Sequence, residues 1–230
     1  MKKLIIPFLI IVALVSILMS LPETQDVPFN EHVLNMIETY ERDGSLPYKW
    51  VDGYEGVTQD LEYQGDVIAR ANGDSSHSSY CCGLTFEVYY RSMNHLLKDL
   101  KMKEDINGMT ADDFEDFIAR WFVQEKNGDG PGLALEAYGL GKSIDKMKDV
   151  QKGDFVQIWR TSGSGHSVIF IEWVTNEEGD TTGLTYWSTQ PGTNGVNYNT
   201  EYFSGYGGKV DTSVTHYSRA FMPKDFIKRK

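Results

Sequence analysis

Ser78-Ser79-Tyr80-Cys81-Cys82-Gly83-Leu84-Thr85-Phe86-Glu87-Val88 holds the only two cysteines of the 230-residue chain, side by side, where a polar Ser/Gly/Asp run gives way to a helix-like segment. Adjacent residues keep their Cα atoms about 3.8 Å apart, below the roughly 4.4 Å minimum of an ordinary disulfide. No other cysteine offers a partner. Two unpaired thiols at a loop-to-helix junction meet the unsatisfied first-turn N–H groups and the positive end of the helix dipole, which favour a thiolate. A small core residue fits the same position. Taken alone, the stretch suits a nucleophile and a packing residue equally well.

Working outward, a helix is expected from Cys81 to Leu97, with Leu84, Val88, Met93, Leu96 and Leu97 spread over several faces, as in a buried helix. Thr110 precedes Ala111-Asp112-Asp113 as a helix cap with acids in the first turn, and Phe114, Phe117, Ile118, Trp121 and Phe122 form a core stripe behind it. A short helix is expected over Leu133–Leu140. The pattern then changes to strands: Phe155–Trp159, His166–Val174 after the Thr161–Gly165 turn, and Leu184–Gln190 after an Asn176–Asp180 hairpin. One or two more strands are expected between Tyr198 and Phe221. Upstream, Asn30 opens a helix with Val33, Leu34, Ile37 and Tyr40 on one face. Tyr48–Ala71 has no clear period, with extended pieces suggested near Val57 and Val67. Helices followed by an antiparallel meander define an α+β fold.

Met-Lys-Lys followed by the uncharged run Leu4–Ser20 reads as a signal peptide or an N-terminal membrane anchor over residues 1–20, with possible membrane anchoring through residues 4–20. Residues 21–29 read as a linker and 30–230 as a single domain. The expected location is therefore exported: extracellular, periplasmic or in the cell envelope. A net charge of −11 disfavours binding to nucleic acid through bulk electrostatics. The five histidines are scattered and no ligand-spaced cluster stands near the cysteines, so no metal and no cofactor are expected.

Of the histidines, His166 begins a buried-looking strand directly after a Gly/Ser turn. A hairpin symmetric about Glu178 would place Gln190 opposite it. The Gln190 carboxamide could then hold one ring nitrogen and leave the other for a thiol. A slip of one residue would bring Ser188 or Thr189 forward instead.

Together these features resemble the NlpC/P60 family of papain-like cysteine peptidases and the related CHAP amidases. Tyr80-Cys81-Cys82-Gly83-Leu84 is similar to that family's Asp-Cys-Ser-Gly-Leu motif. Lys152-Gly153-Asp154-Phe155-Val156 followed by Gly165-His166-Ser167-Val168-Ile169 is similar to its Gly-Asp and Gly-His strands. The resemblance spans roughly Ser78 to Phe203. It implies a papain-like domain with Cys81 as nucleophile (Cys82 standing at the family's Ser position), His166 as base and then acid, and Gln190 orienting the imidazole. It further implies amide cleavage through a thioester, with a peptide or peptidoglycan substrate. A monomer is expected. The competing reading is a non-catalytic carbohydrate- or wall-binding module that uses the Tyr-, Trp- and Asn-rich face between Tyr186 and Tyr206.

Overall fold

The computed structural model describes residues 27–123 and 125–228. The segment read as a signal or anchor, and residues 21–26 of the linker, lie outside the described residues. Two helices, α1 (Phe29–Ile37) and α2 (Cys81–Asp99), flank a small hairpin of β1 (Leu61–Tyr63) and β2 (Asp66–Ala69). Helices α3 (Ala111–Trp121) and α4 (Pro131–Ala137) follow. The strands β3 (Gly141–Ser143), β4 (Phe155–Trp159), β5 (Gly165–Thr175), β6 (Thr181–Gln190), β7 (Gly195–Tyr202) and β8 (His216–Ala220) then build one antiparallel sheet in the order β3-β8-β4-β5-β6-β7. The architecture is α+β, with the helices on one face of this sheet.

Helix α2 is buried along most of its length because it is the central layer between sheet and outer helices. Its Phe86 and Tyr89 pack with Phe117 and Trp121 of α3, and both Tyr89 and Trp121 reach Phe155 of β4 with ring centroids 6.1 and 5.1 Å apart. Strand alternation divides the sheet's side chains between two cores. Phe155, Ile169 and Trp187 face the helices, whereas Val156, Ile158, Val168, Phe170, Leu184 and Tyr186 pack with Phe203, Val210 and Tyr217 on the far side.

Two buried carboxylates fix the layers. Glu87 of α2 accepts hydrogen bonds from the Tyr40 hydroxyl (2.9 Å), the Thr58 amide (2.6 Å) and hydroxyl (2.8 Å), and pairs with Arg91 at 3.2 Å. Asp154 accepts from Arg219 through both oxygens (2.7 Å each), from Asn30 Nδ2 (2.8 Å) and from the Gln151 amide (2.7 Å). A charge with this many partners is tolerated inside a protein, but removing its partners or the group itself is costly. The Gly153-Asp154 pair is thus a tie between the start of α1 and the sheet. Gly153 has φ of 90°, and a Cβ there would stand 2.8 Å from the Asn30 carbonyl oxygen.

Several boundaries differ from the expectation for physical reasons. Helix α4 starts two residues earlier, at Pro131, whose fixed φ suits a first turn. It stops before Gly139, which lies at φ of 65°. Strand β7 begins already at Gly195, after Asn194 reverses the chain at φ of 56°. In the region without a clear period, Gln64 and Gly65 both have positive φ, the requirement of a tight two-residue hairpin, and so create β1–β2. Val67 lies in β2, while Val57 makes only an isolated bridge to Ala71.

Candidate active site

Helix α2 begins at Cys81, and Tyr80, its N-cap, gives no side-chain capping bond. The first intrahelical acceptor engaged is the Tyr80 carbonyl, which takes the Leu84 amide at 2.9 Å. The helix start is held by packing rather than capping. Tyr80 donates its amide to the Gly56 carbonyl and its hydroxyl to the Tyr54 carbonyl, both at 3.1 Å. Gly83 lies so close to the Glu55–Gly56 backbone that no side chain fits between them. Residues 47–49 run beside this start, with Ser79 donating to the Pro47 carbonyl and Lys49 to the Ser79 carbonyl.

Both cysteines are free and buried. The Cys81 thiol is held well below the ordinary thiol range. The largest cause is a hydrogen bond from the Cys82 thiol; burial opposes it, and the charge and hydrogen bond of the His166 imidazole and the Ser167 amide add to it. Cys82 moves the other way, pushed up first by burial and then by its neighbour. His166 and Ser167 act on Cys81 and not on Cys82, and this asymmetry decides which sulfur carries the negative charge. Cys81 and His166, two of the residues singled out from sequence, thus lie side by side, with Cys82 as the neighbour that keeps its proton.

His166 lies on β5 opposite Ile158 of β4 and is 5 % exposed. Its ring meets Tyr186 of β6 edge-to-face, with centroids 5.5 Å apart, and its Nε2 is buried without a hydrogen-bond partner. Gly165, just before it, has no room for a side chain, since a Cβ would stand 2.9 Å from Gln157 Nε2 and 3.0 Å from the Trp159 ring.

Gln190 does not take the part expected of it. The hairpin register is symmetric at Ile169–Trp187 and Phe170–Tyr186, although an irregularity between Phe170 and Glu172 shifts the pairs nearer the turn. The Gln190 carboxamide oxygen, however, lies 3.0 Å from the Tyr186 hydroxyl, and no hydrogen bond joins it to His166. Ser188 is also engaged elsewhere, donating to the Ser167 carbonyl at 2.8 Å. Thr189 is buried with its hydroxyl unpaired.

Three further residues stand at the site that the sequence did not single out. Tyr48 senses the charge of both thiols, and its phenol is pushed up to about 12, by burial first and then by those sulfurs, so it stays a proton donor near neutral pH. Trp50 is 64 % exposed and packs on Tyr80 with ring centroids 4.6 Å apart. Glu201 of β7 interacts electrostatically with His166. None belongs to a local motif; Tyr48 and Trp50 sit in or beside the segment without period, and Glu201 joins the site only through strand pairing. Among the described residues no group of three or more His, Cys, Asp or Glu side chains is placed to hold a metal ion, and no helix is long and apolar enough to cross a membrane. No protein-family model, no curated protein and no solved structure matches the chain.

Proposed function

We propose that this protein is an exported thiol hydrolase of papain-like, NlpC/P60-related type that cleaves an amide bond, with peptidoglycan peptides as the substrate class. The observation that carries the reading is the depressed Cys81 thiol at the start of α2, in contact with the His166 imidazole. A thiolate beside an imidazole is the equipment of nucleophilic acyl transfer.

In this mechanism the Cys81 sulfur attacks the amide carbonyl carbon, and the carbonyl oxygen takes up the negative charge. The first-turn amides of α2, which no side chain caps, and the Tyr48 phenol are the donors near that oxyanion. Collapse of the intermediate breaks the C–N bond, and the His166 imidazolium gives its proton to the leaving amine. Water then attacks the thioester while His166 accepts its proton, releasing the acid and the free thiol. Trp50, exposed on the Tyr80 shelf beside the nucleophile, offers a flat apolar surface to the flanking part of the substrate.

Iodoacetamide labelling tests the chemistry directly. Cys81 is expected to react below the ordinary thiol range of about 8.5, His166→Ala to slow it, and Cys81→Ser to abolish fast labelling and amine release from soluble wall peptides. A thiol inert until the protein unfolds would end this reading.

A specific observation favours the binding-module reading as an alternative. Trp173, Phe203 and Tyr206 line a cavity of about 470 Å³ with Met147 and Lys148 on the far side of the sheet. Tyr202 and Tyr206 are each 47 % exposed. Wall binding that is retained in Cys81→Ser and lost in Tyr206→Ala, with inert thiols, would select it.

A further inference from the structure

On the face of the sheet that carries His166, the strands place a continuous polar cluster. The Tyr186 hydroxyl donates to Glu201 Oε1 at 2.6 Å, lies 3.0 Å from Gln190 Oε1 and accepts from Asn199 Nδ2 at 2.9 Å. Arg160, just beyond β4, grips Glu201 with Nε and Nη2 at 2.7 and 2.6 Å. Tyr186 lies opposite Asn199 across β6–β7, and Leu184 opposite Glu201, so the cluster is set by cross-strand pairing. The Glu201 and Arg160 side chains are 18 % and 19 % exposed.

A hydroxyl that donates to Glu201 and accepts from Asn199, and a carboxylate gripped by Arg160, hold the Tyr186 ring in one orientation, and that ring is the aromatic wall against which His166 rests. The imidazole has no hydrogen-bonded partner at its buried Nε2, so it is held by its interaction with Cys81 and by packing against this wall. We propose that Glu201, acting through Tyr186, is the positioning residue for the His166 imidazole, aiming the ring at Cys81. The cluster thereby does what was expected of the Gln190 carboxamide alone. Glu201 remains ionised, since its hydrogen bonds from Arg160 and Tyr186 outweigh the burial that would protonate it. This inference rests on the hydrolase reading above.

The charged and titratable groups around the imidazole are Cys81 from α2, Tyr186 from β6, Glu201 from β7 and Arg160 after β4, with Cys82 and Tyr48 around the thiol. The test uses two alkylating probes on the full chain over the range in which imidazoles titrate. Iodoacetate is an anion and is favoured by a neighbouring imidazolium, whereas iodoacetamide reports the thiolate alone. Glu201→Gln keeps the side chain's shape and removes its charge. It is expected to lower the iodoacetate-to-iodoacetamide rate ratio about three- to tenfold across this range, because a misaimed ring no longer draws the anion to the sulfur. Tyr186→Phe keeps the ring, removes its tie and lowers the ratio by less. A profile superimposable on wild type in a folded Glu201→Gln protein overturns the proposal; if that variant does not fold, an unchanged profile in Tyr186→Phe overturns it. His166→Ala is the control: loss of the preference there with none in Glu201→Gln refutes the positioning role only, whereas no effect of His166→Ala refutes the hydrolase reading itself.

Discussion

Replacing Gly83 with alanine perturbs the candidate nucleophile's helix without touching either thiol. A Cβ at this position would stand 2.5 Å from the Gly56 carbonyl carbon and 2.6 Å from its oxygen, with the Glu55 carbonyl oxygen closer still. Carbon atoms in contact prefer about 3.5–4.0 Å, so the backbone of residues 55–56 must retreat by about 1 Å. Overpacking of this kind costs about 1–3 kcal/mol, towards the upper end when backbone is the obstacle. Alanine recovers about 1 kcal/mol of helix propensity over glycine. A net loss of about 1–2 kcal/mol follows, read by urea unfolding or as a fall in Tm of about 2–8 °C. The same retreat pulls the Gly56 carbonyl from the Tyr80 amide, now 3.1 Å away. Iodoacetamide labelling of the folded protein should therefore slow as well. If Gly83→Ala is as stable as wild type and labels at the same rate, the Glu55–Gly56 segment does not brace this helix start and the account of how Cys81 is held is wrong.

Cys82→Ser, which retains a donor, should leave Cys81 labelling near wild type, while Cys82→Ala should raise the pH at which Cys81 becomes reactive; equal profiles would remove Cys82 as the donor. Asp154→Ala leaves Arg219 without its carboxylate and should cost about 3–5 kcal/mol, measured by denaturant unfolding, although Asp154 touches neither thiol nor imidazole in the hydrogen-bond network. Glu87→Ala should cost a similar amount, because Arg91, Tyr40 and Thr58 all lose their shared acceptor. Glu201 has a folded-state value below its unfolded one, so its contribution to stability is present above the unfolded carboxylate value, about 4.3, and is lost as the pH falls through the folded value. Glu201→Gln should accordingly flatten the acid limb of a Tm-versus-pH curve, and an unaltered limb would contradict this sign.

The parts of the fold legible in the sequence were those with a local cause. Phe155–Trp159 is an unbroken apolar and β-branched run and forms β4 with those bounds. Thr110 and Asp113 form the reciprocal cap that starts α3. The Ser/Gly-to-apolar transition marks the start of α2 at Cys81. Less legible was anything decided by partners distant in sequence. Tyr48–Ala71 is held by tertiary hydrogen bonds, such as those from Thr58 to Glu87, and by one short hairpin, neither of which leaves a period in the sequence. Counting the hairpin located Gln190 on the correct strand but could not show that its carboxamide would lie against the Tyr186 hydroxyl. Glu201 reads as one more acid on an exposed-looking strand until β7 is laid beside β6.

Strand alternation gives this site an uneven mutational tolerance. Ser167 and His166 are neighbours on β5 but belong to opposite faces: Ile169 points with Ser167 to the helices, and Val168 with His166 to the second core. Substitutions at single positions disturb one face at a time. Removing or adding one residue in the Thr161–Gly165 turn would instead exchange the faces of everything that follows on β5 until the strand re-registered, taking the imidazole off the Tyr186 ring and turning Ile169 towards the polar cluster. Sequence diversification of this chain should therefore succeed by exchange and fail by insertion or deletion in that turn, and turn length becomes a sharper marker of retained chemistry than side-chain identity around it.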